Sequence, residues 1–386
     1  MIVGFDVSQT GSLKAGCGYF ADGLVRGLAA LDETTQYLLY PTFGGDFWDD
    51  QWPRSTVHLR RPNVRRSLGH RTLAELRRFW DEEPADLELQ LGQPDIVHSN
   101  NFFCPTGLRR ARLVYTLHDV AFVHHPEWTT EENRVACFTG VFRASVGADH
   151  IIANSRATRD DFLQVFPHVA PERISVVHPA SRFTPGATVG NRPAALAGMA
   201  PGQFWLSVAT LEPRKNHARL LRAYARYVAT SPAEALPLVL AGGRGWLMDD
   251  FQATIDVLGL GRNVLLLGYV PDDELAWLYE HCFAFVYVST FEGFGMPVLE
   301  AMSLGAAIVS SDATSLPEVV GDAGLLVDPF DEPAIASALT RLGSDEALRR
   351  NLQLEARQQA SHFSWRHSAE QVRDIYRELP PRAAQP

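Results

Sequence analysis

Short apolar, β-prone runs alternate with helix-length segments over most of the chain. This is the pattern of strands buried on both faces of parallel sheets, with helices packed over them. In the first half the runs predict strands at Ile2–Val7, Asp95–His98, Leu113–Leu117, His150–Ala153 and Ile174–Val177. In the second half they predict strands at Phe204–Val208, Leu238–Ala241, Val264–Leu267, Phe283–Val288, Ala307–Ser310 and Leu325–Val327. Between the halves, Pro179 to Gly202 is rich in Pro, Gly, Ala and Asn and reads as a linker. The expectation is therefore an α/β chain of two doubly wound domains. Their ligands would sit beyond the carboxyl ends of the strands, in a cleft between the domains.

Composition narrows the class. The chain has 386 residues, is 46% hydrophobic and carries a formal net charge of −10. That length suits two or three domains with sizeable cores, and the acidic balance argues against general nucleic-acid binding. Met1 to Val7 reads as a first strand rather than a signal peptide, and no apolar run reaches the length of a membrane span. Cys17, Cys104, Cys137 and Cys282 have neither disulfide-scaffold nor zinc spacing, so a cytoplasmic setting is expected.

The most informative stretch is Thr290 to Glu300, Thr-Phe-Glu-Gly-Phe-Gly-Met-Pro-Val-Leu-Glu. Gly293 and Gly295 permit a sharp turn after a buried strand, and Pro297 suits the first turn of a helix. Such a helix directs its free N–H groups at a ligand, which favours phosphate. Glu292 precedes the helix and Glu300 lies about a turn inside it; carboxylates accept hydrogen bonds from sugar hydroxyls. Read structurally, the same stretch is a surface turn with a capping glutamate.

Three further segments fall at predicted strand ends. Leu211-Glu212-Pro213-Arg214-Lys215-Asn216 places two adjacent cations there, a planar fork and a point charge suited to pyrophosphate; a charged helix cap is the plainer reading. Gly16 and Gly18, in the loop after the first strand, allow close approach to a phosphate but do not form a G-x-G-x-x-G fingerprint. His118 ends the Leu113–Leu117 run and offers a donor, an acceptor or a cation; a histidine bonded to backbone would look the same. His124 and His125 lack a third ligand of convincing metal spacing, and there is no D-x-D triplet.

These residues together resemble family 4 glycosyltransferases of the GT-B fold. The E-x7-E spacing of Glu292 and Glu300, the Glu-Pro-Arg-Lys-Asn segment and the Leu-His-Asp strand end carry the resemblance, which is strongest from Phe204 to Pro329. It implies Rossmann-like domains at 1–180 and 203–364, with the helix in 365–386 returning to the first. It also implies metal-independent transfer from a nucleotide-sugar with retention at the anomeric carbon. By position, Glu300 would hold the ribose hydroxyls, and Arg214 and Lys215 would neutralise the diphosphate. Glu292 and the amides of Gly293, Phe294, Gly295 and Met296 would grip the donor sugar, with His118 reaching it from the other domain. Gly268, Tyr269 and Val270 would border the base.

The wording looks most like bacterial enzymes that move mannose or related hexoses onto glycan or lipid-linked acceptors, which makes GDP-mannose the expected donor. A nucleotide-sugar epimerase, a phosphorylase or a non-catalytic sugar-nucleotide-binding protein of the same fold would be different outcomes. Acceptor contacts are expected in first-domain loops, around Thr42–Trp52, Arg60–Arg71 and Phe102–Gly107. The arginine-rich stretch from Arg54 to Arg78 is either a solvated face or a basic surface for an anionic acceptor or the head groups of the inner membrane face.

Overall fold

The computed structural model describes residues 1–11, 14–42, 56, 59–68, 72–100, 103–186, 190–230, 235–243, 245 and 251–380. The chain forms two compact units. One comprises Met1–Pro126, Thr130–Ala180 and Ser364–Pro386; the other comprises Glu127–Thr129 and Ser181–Phe363.

The first unit holds a parallel sheet of β1 (Ile2–Asp6), β2 (Gln36–Tyr40), β3 (Val64–Arg66), β4 (Ile96–Asn100), β5 (Arg112–Leu117), β6 (His150–Ala153) and β7 (Ile174–Val176), in the order β3-β2-β1-β4-β5-β6-β7. The order reverses between β1 and β4, so the carboxyl ends of those two strands flank its ligand crevice. Strand alternation divides the core. Phe5, Val114 and Ile152 pack with Leu24, Leu28 and Val372 on one face, while Val97, Tyr115 and Ile151 pack with Phe162 on the other. Burial on both faces is why these strands read as near-continuous apolar runs. β2 and β3 add to the strands expected from the sequence. β3 is a three-residue edge strand with Arg65 and Arg66 exposed, charges that discourage further edge pairing.

The helix Trp365–Glu378 lies in this unit, against the helix Gly16–Leu31. Gly23 makes the approach possible: a Cβ there would collide with the Trp365 indole. Tyr376 bonds through its hydroxyl to His98 Nδ1, and Ser368 donates to the His178 carbonyl at 2.7 Å.

The second unit holds β8 (Trp205–Val208), β9 (Leu238–Ala241), β10 (Val264–Gly268), β11 (Ala284–Tyr287), β12 (Ile308–Ser311) and β13 (Gly324–Val327), parallel in the order β10-β9-β8-β11-β12-β13. Its switch point lies between β8 and β11. The supposed linker is not free chain: from Ser181 onward it belongs to this unit, with Phe183 and Leu196 in the core. Among the described residues no helix is long and apolar enough to cross a membrane. Within the basic stretch, Arg60, Arg61, Arg65, Arg66 and Arg78 are exposed, while Arg54 and Arg71 lie outside the described residues.

Candidate active site

The switch point of the second unit brings together the two segments singled out in its sequence. After β8 the chain enters a short 3-10 turn, Pro213–Lys215, and Asn216 follows in the left-handed region at φ 61°. The Asn216 side chain donates to the carbonyls of Val288 at 3.0 Å and Pro329 at 2.7 Å. The loop after β11 answers from its side. Thr290 N–H donates to the Arg214 carbonyl at 2.8 Å, and so does the Ser289 hydroxyl at 2.9 Å. The two loops are thus tied by main-chain contacts before any charge is considered.

Lys215 Nζ lies 2.6 Å from Glu292 Oε1, and Arg214 Nη1 lies 3.0 Å from Glu292 Oε2. Arg214 Nε reaches Glu212 at 2.6 Å. Tyr287 donates its hydroxyl to Glu292 Oε1 at 2.8 Å and receives Lys215 Nζ at 3.0 Å. Burial works against the ionised form of Glu292, but Lys215 and Arg214 outweigh it and hold the carboxyl at about 2. Burial and then Arg214 push Lys215 below the ordinary lysine value, opposed by Glu292 and Glu212. The carboxylates therefore oppose the loss of charge that burial favours in Lys215. Two cations facing two carboxylates form a charge-balanced cluster.

The loop after β12 braces the glutamate turn: Glu292 N–H donates to Thr314 Oγ1 at 3.0 Å, and Ser315 Oγ donates to the Glu292 carbonyl at 2.9 Å. Gly295 sits at φ 104° against Leu316 and caps the helix Met296–Ser303, with no side chain covering the helix N-terminus. Pro297 has no N–H, and the Val298 and Leu299 N–H groups turn back to the Gly295 carbonyl at 3.0 and 3.3 Å. The Phe294 ring is buried against Phe363 and faces no ligand.

Glu300 is held by partners the sequence reading missed. Arg182 Nε lies 2.9 Å from its Oε1, and the Tyr279 hydroxyl donates to its Oε2 at 3.2 Å. Arg182 also meets Asp272 at 2.9 Å. Burial dominates and raises the Glu300 carboxyl, with Arg182 opposing. Arg182 lies 118 residues before Glu300, inside the supposed linker, so nothing local signals the pairing. Tyr269 is 64% exposed after β10, whereas Val270 is buried.

In the first unit, His118 follows β5 with its ring edge-on to Phe20 at 5.5 Å. Burial lowers it to about 4, so it is a neutral imidazole at physiological pH rather than a cation. The two glycines differ. A Cβ on Gly18 would collide with the Gln9 carbonyl, whereas Gly16 faces open space. Gly18 is thus needed for packing, while nothing around Gly16 demands a glycine. His124 lies 3.8 Å from Asp161, and among the described residues no three of His, Cys, Asp and Glu gather as a metal-binding group.

Two Rossmann-like units, one carrying paired cations and a braced carboxylate turn at its switch point, define a glycosyltransferase of the GT-B class. The comparisons agree. Residues 200–359 match the family "Glycosyl transferases group 1", and residues 15–180 match "Glycosyltransferase Family 4". The chain belongs to this family of glycosyltransferases. It is 34% identical over 286 residues to the O-antigen chain mannosyltransferase B of Escherichia coli, covering 74% of each protein. It is 39% identical over 174 residues to the serotype-specific mannosyltransferase WbdA of Escherichia coli, which is 44% of this chain and 21% of that longer one. Among solved structures, Anabaena HepE in complex with UDP and glucose superimposes with a TM-score of 0.71 at 20% identity, over 98% of this chain and 100% of that one.

Proposed function

We propose that the chain transfers mannose from GDP-mannose to a glycan or lipid-linked acceptor in cell-surface polysaccharide synthesis, with retention and without a divalent metal. The observation that carries this reading is the Arg214–Lys215–Glu292 cluster at the second unit's switch point. The mannose assignment is supported by the relatives' names, O-antigen chain mannosyltransferase B and WbdA.

In this reading the leaving group is a nucleoside diphosphate whose negative charge grows in the transition state. Arg214 and Lys215 stabilise that charge, helped by the positive dipole end of the Met296–Ser303 helix. Fixed in place beforehand, these groups need no reorganisation during the reaction. Glu292 favours the charged form of Lys215 and meets the sugar hydroxyls, while Glu300 meets the ribose. Tyr287 and Lys215 already occupy Glu292, so a covalent glycosyl role for it is not assigned. The neutral His118 ring serves the donor sugar as a hydrogen-bonding group.

Thermal shifts against GDP, UDP, dTDP and ADP test the donor base. A ligand at a hundred times its dissociation constant adds about 2.7 kcal/mol of stability, so GDP should raise the melting temperature most. Transfer that proceeds equally with UDP-hexoses would overturn the donor assignment, and a strict Mg²⁺ requirement would overturn metal independence.

A further inference from the structure

The helix Glu131–Gly147, between β5 and β6 in the chain, carries apolar residues on both its buried and its exposed side. Val141 and Ala144 belong to the core beneath it. On the other side Val135, Phe138, Phe142 and Val146 follow one another at intervals of three, four and four residues, the spacing of a single stripe along a helix. All four are exposed, and no other described helix carries more than one large exposed apolar side chain. The rings of Phe138 and Phe142 stack in parallel with centroids 5.9 Å apart, and Phe138 also meets Phe166 at 6.5 Å. Rings fixed before contact lose little freedom on association. Single exposed hydrophobics need no explanation, but a contiguous patch of them marks an interaction surface.

Charge decides what covers it. Glu131 and Glu132 are exposed at the start of the helix and Arg143 near its end, while Arg134 is taken up by Glu131 at 2.6 Å. Two carboxylates and two guanidinium groups sum to zero, whereas helices that lie on anionic membranes carry Lys and Arg in excess. The arrangement is instead self-complementary. Glu132 and Arg143 are eleven residues apart, about three turns, so they share one flank of the stripe. In an antiparallel pair of identical helices, like flanks face each other. A two-fold axis beside Phe138 therefore sets Glu132 of each copy against Arg143 of the other, and it lays the two helix dipoles head to tail.

We infer that this face joins two copies of the chain in an antiparallel, two-fold dimer, with the Phe138 and Phe142 rings in its middle and a Glu132–Arg143 pair at each end. The helix has 17 residues and is about 25 Å long, so the contact belongs to the small, dissociable class. The inference is independent of the glycosyl-transfer reading.

Sedimentation velocity on the full chain, from low to high micromolar concentration, tests it. The wild type should show a reversible monomer–dimer equilibrium. Phe142→Glu and Val146→Glu change side chains that are 47% and 64% exposed. Each should raise the dissociation constant about tenfold or more, with the far-UV circular dichroism spectrum and the Tm of the wild type. Glu132→Arg and Arg143→Glu should each weaken the dimer, because each brings like charges together. Mixed in equal amounts, those two variants should form a heterodimer as tight as the wild-type dimer. A wild type that stays monomeric, a dimer untouched by Phe142→Glu, or charge variants that do not recover on mixing overturns the inference. A protein that stays monomeric and binds vesicles of phosphatidylglycerol and phosphatidylethanolamine through Phe142 would give the face to a membrane, and overturns it equally.

Discussion

Lys215 and Glu292 are separated by 77 residues of chain, yet Nζ and Oε1 meet at 2.6 Å, and both side chains are less than a tenth exposed. Neither charge is stable alone in that position. Removing one member of a buried pair strands the other, which typically costs about 3–5 kcal/mol. Glu292→Gln keeps the shape and removes the charge. It should reduce transfer at least a hundredfold and lower the midpoint of chemical denaturation, with the far-UV circular dichroism spectrum retained. Near-normal turnover would refute the assigned role.

Lys215→Ala separates phosphate from nucleoside recognition. A hydrogen bond to a charged group contributes about 1.5–3 kcal/mol, a tenfold to hundredfold change in affinity. Calorimetry should show that loss for GDP and little change for guanosine. An equal loss for both would mean that Lys215 shapes the pocket without touching the diphosphate.

Arg182 is predicted to matter although it lies outside every recognisable motif. It ion-pairs with Glu300 at 2.9 Å, and Glu300 is buried. Arg182→Ala should destabilise the second unit by about 3–5 kcal/mol and weaken nucleoside binding, with Arg182→Lys restoring part of both. Urea denaturation of the three proteins decides it; a change under about 0.5 kcal/mol would show the pair to be incidental.

Asp6 gives the first unit a pH signature. Burial raises its carboxyl to about 6, against hydrogen bonds from Ser8 and Thr42 and one at the Asn100 backbone contact. A raised folded value means that the folded state holds the proton more tightly. The stabilisation is complete below about 4 and is lost as pH rises through about 6. At 1.36 kcal/mol per unit, the term approaches about 3 kcal/mol. The stability of wild type minus that of Asp6→Asn, measured from pH 4 to pH 7.5, should fall by that order; a flat difference would refute it.

Much of this protein is legible in its residues. The apolar runs located β1 and the strands from β4 onward, because parallel strands buried on both faces leave an unmistakable mark. β3 left none, since three residues with two arginines at a sheet edge need no apolar pattern. β4 runs to Asn100, past the expected end at His98, because its last residues are polar yet buried.

The sequence by itself determined the two α/β halves, the family and the turn that carries Glu292 and Glu300, because these depend on local spacing and on glycines where the backbone must bend. Tertiary structure decided what each carboxylate touches. It gave Glu292 to Lys215, Arg214 and Tyr287, and gave Glu300 to Arg182 and Tyr279. Charge pairing and burial depend on distance in space, and strand order, not position along the chain, sets that distance.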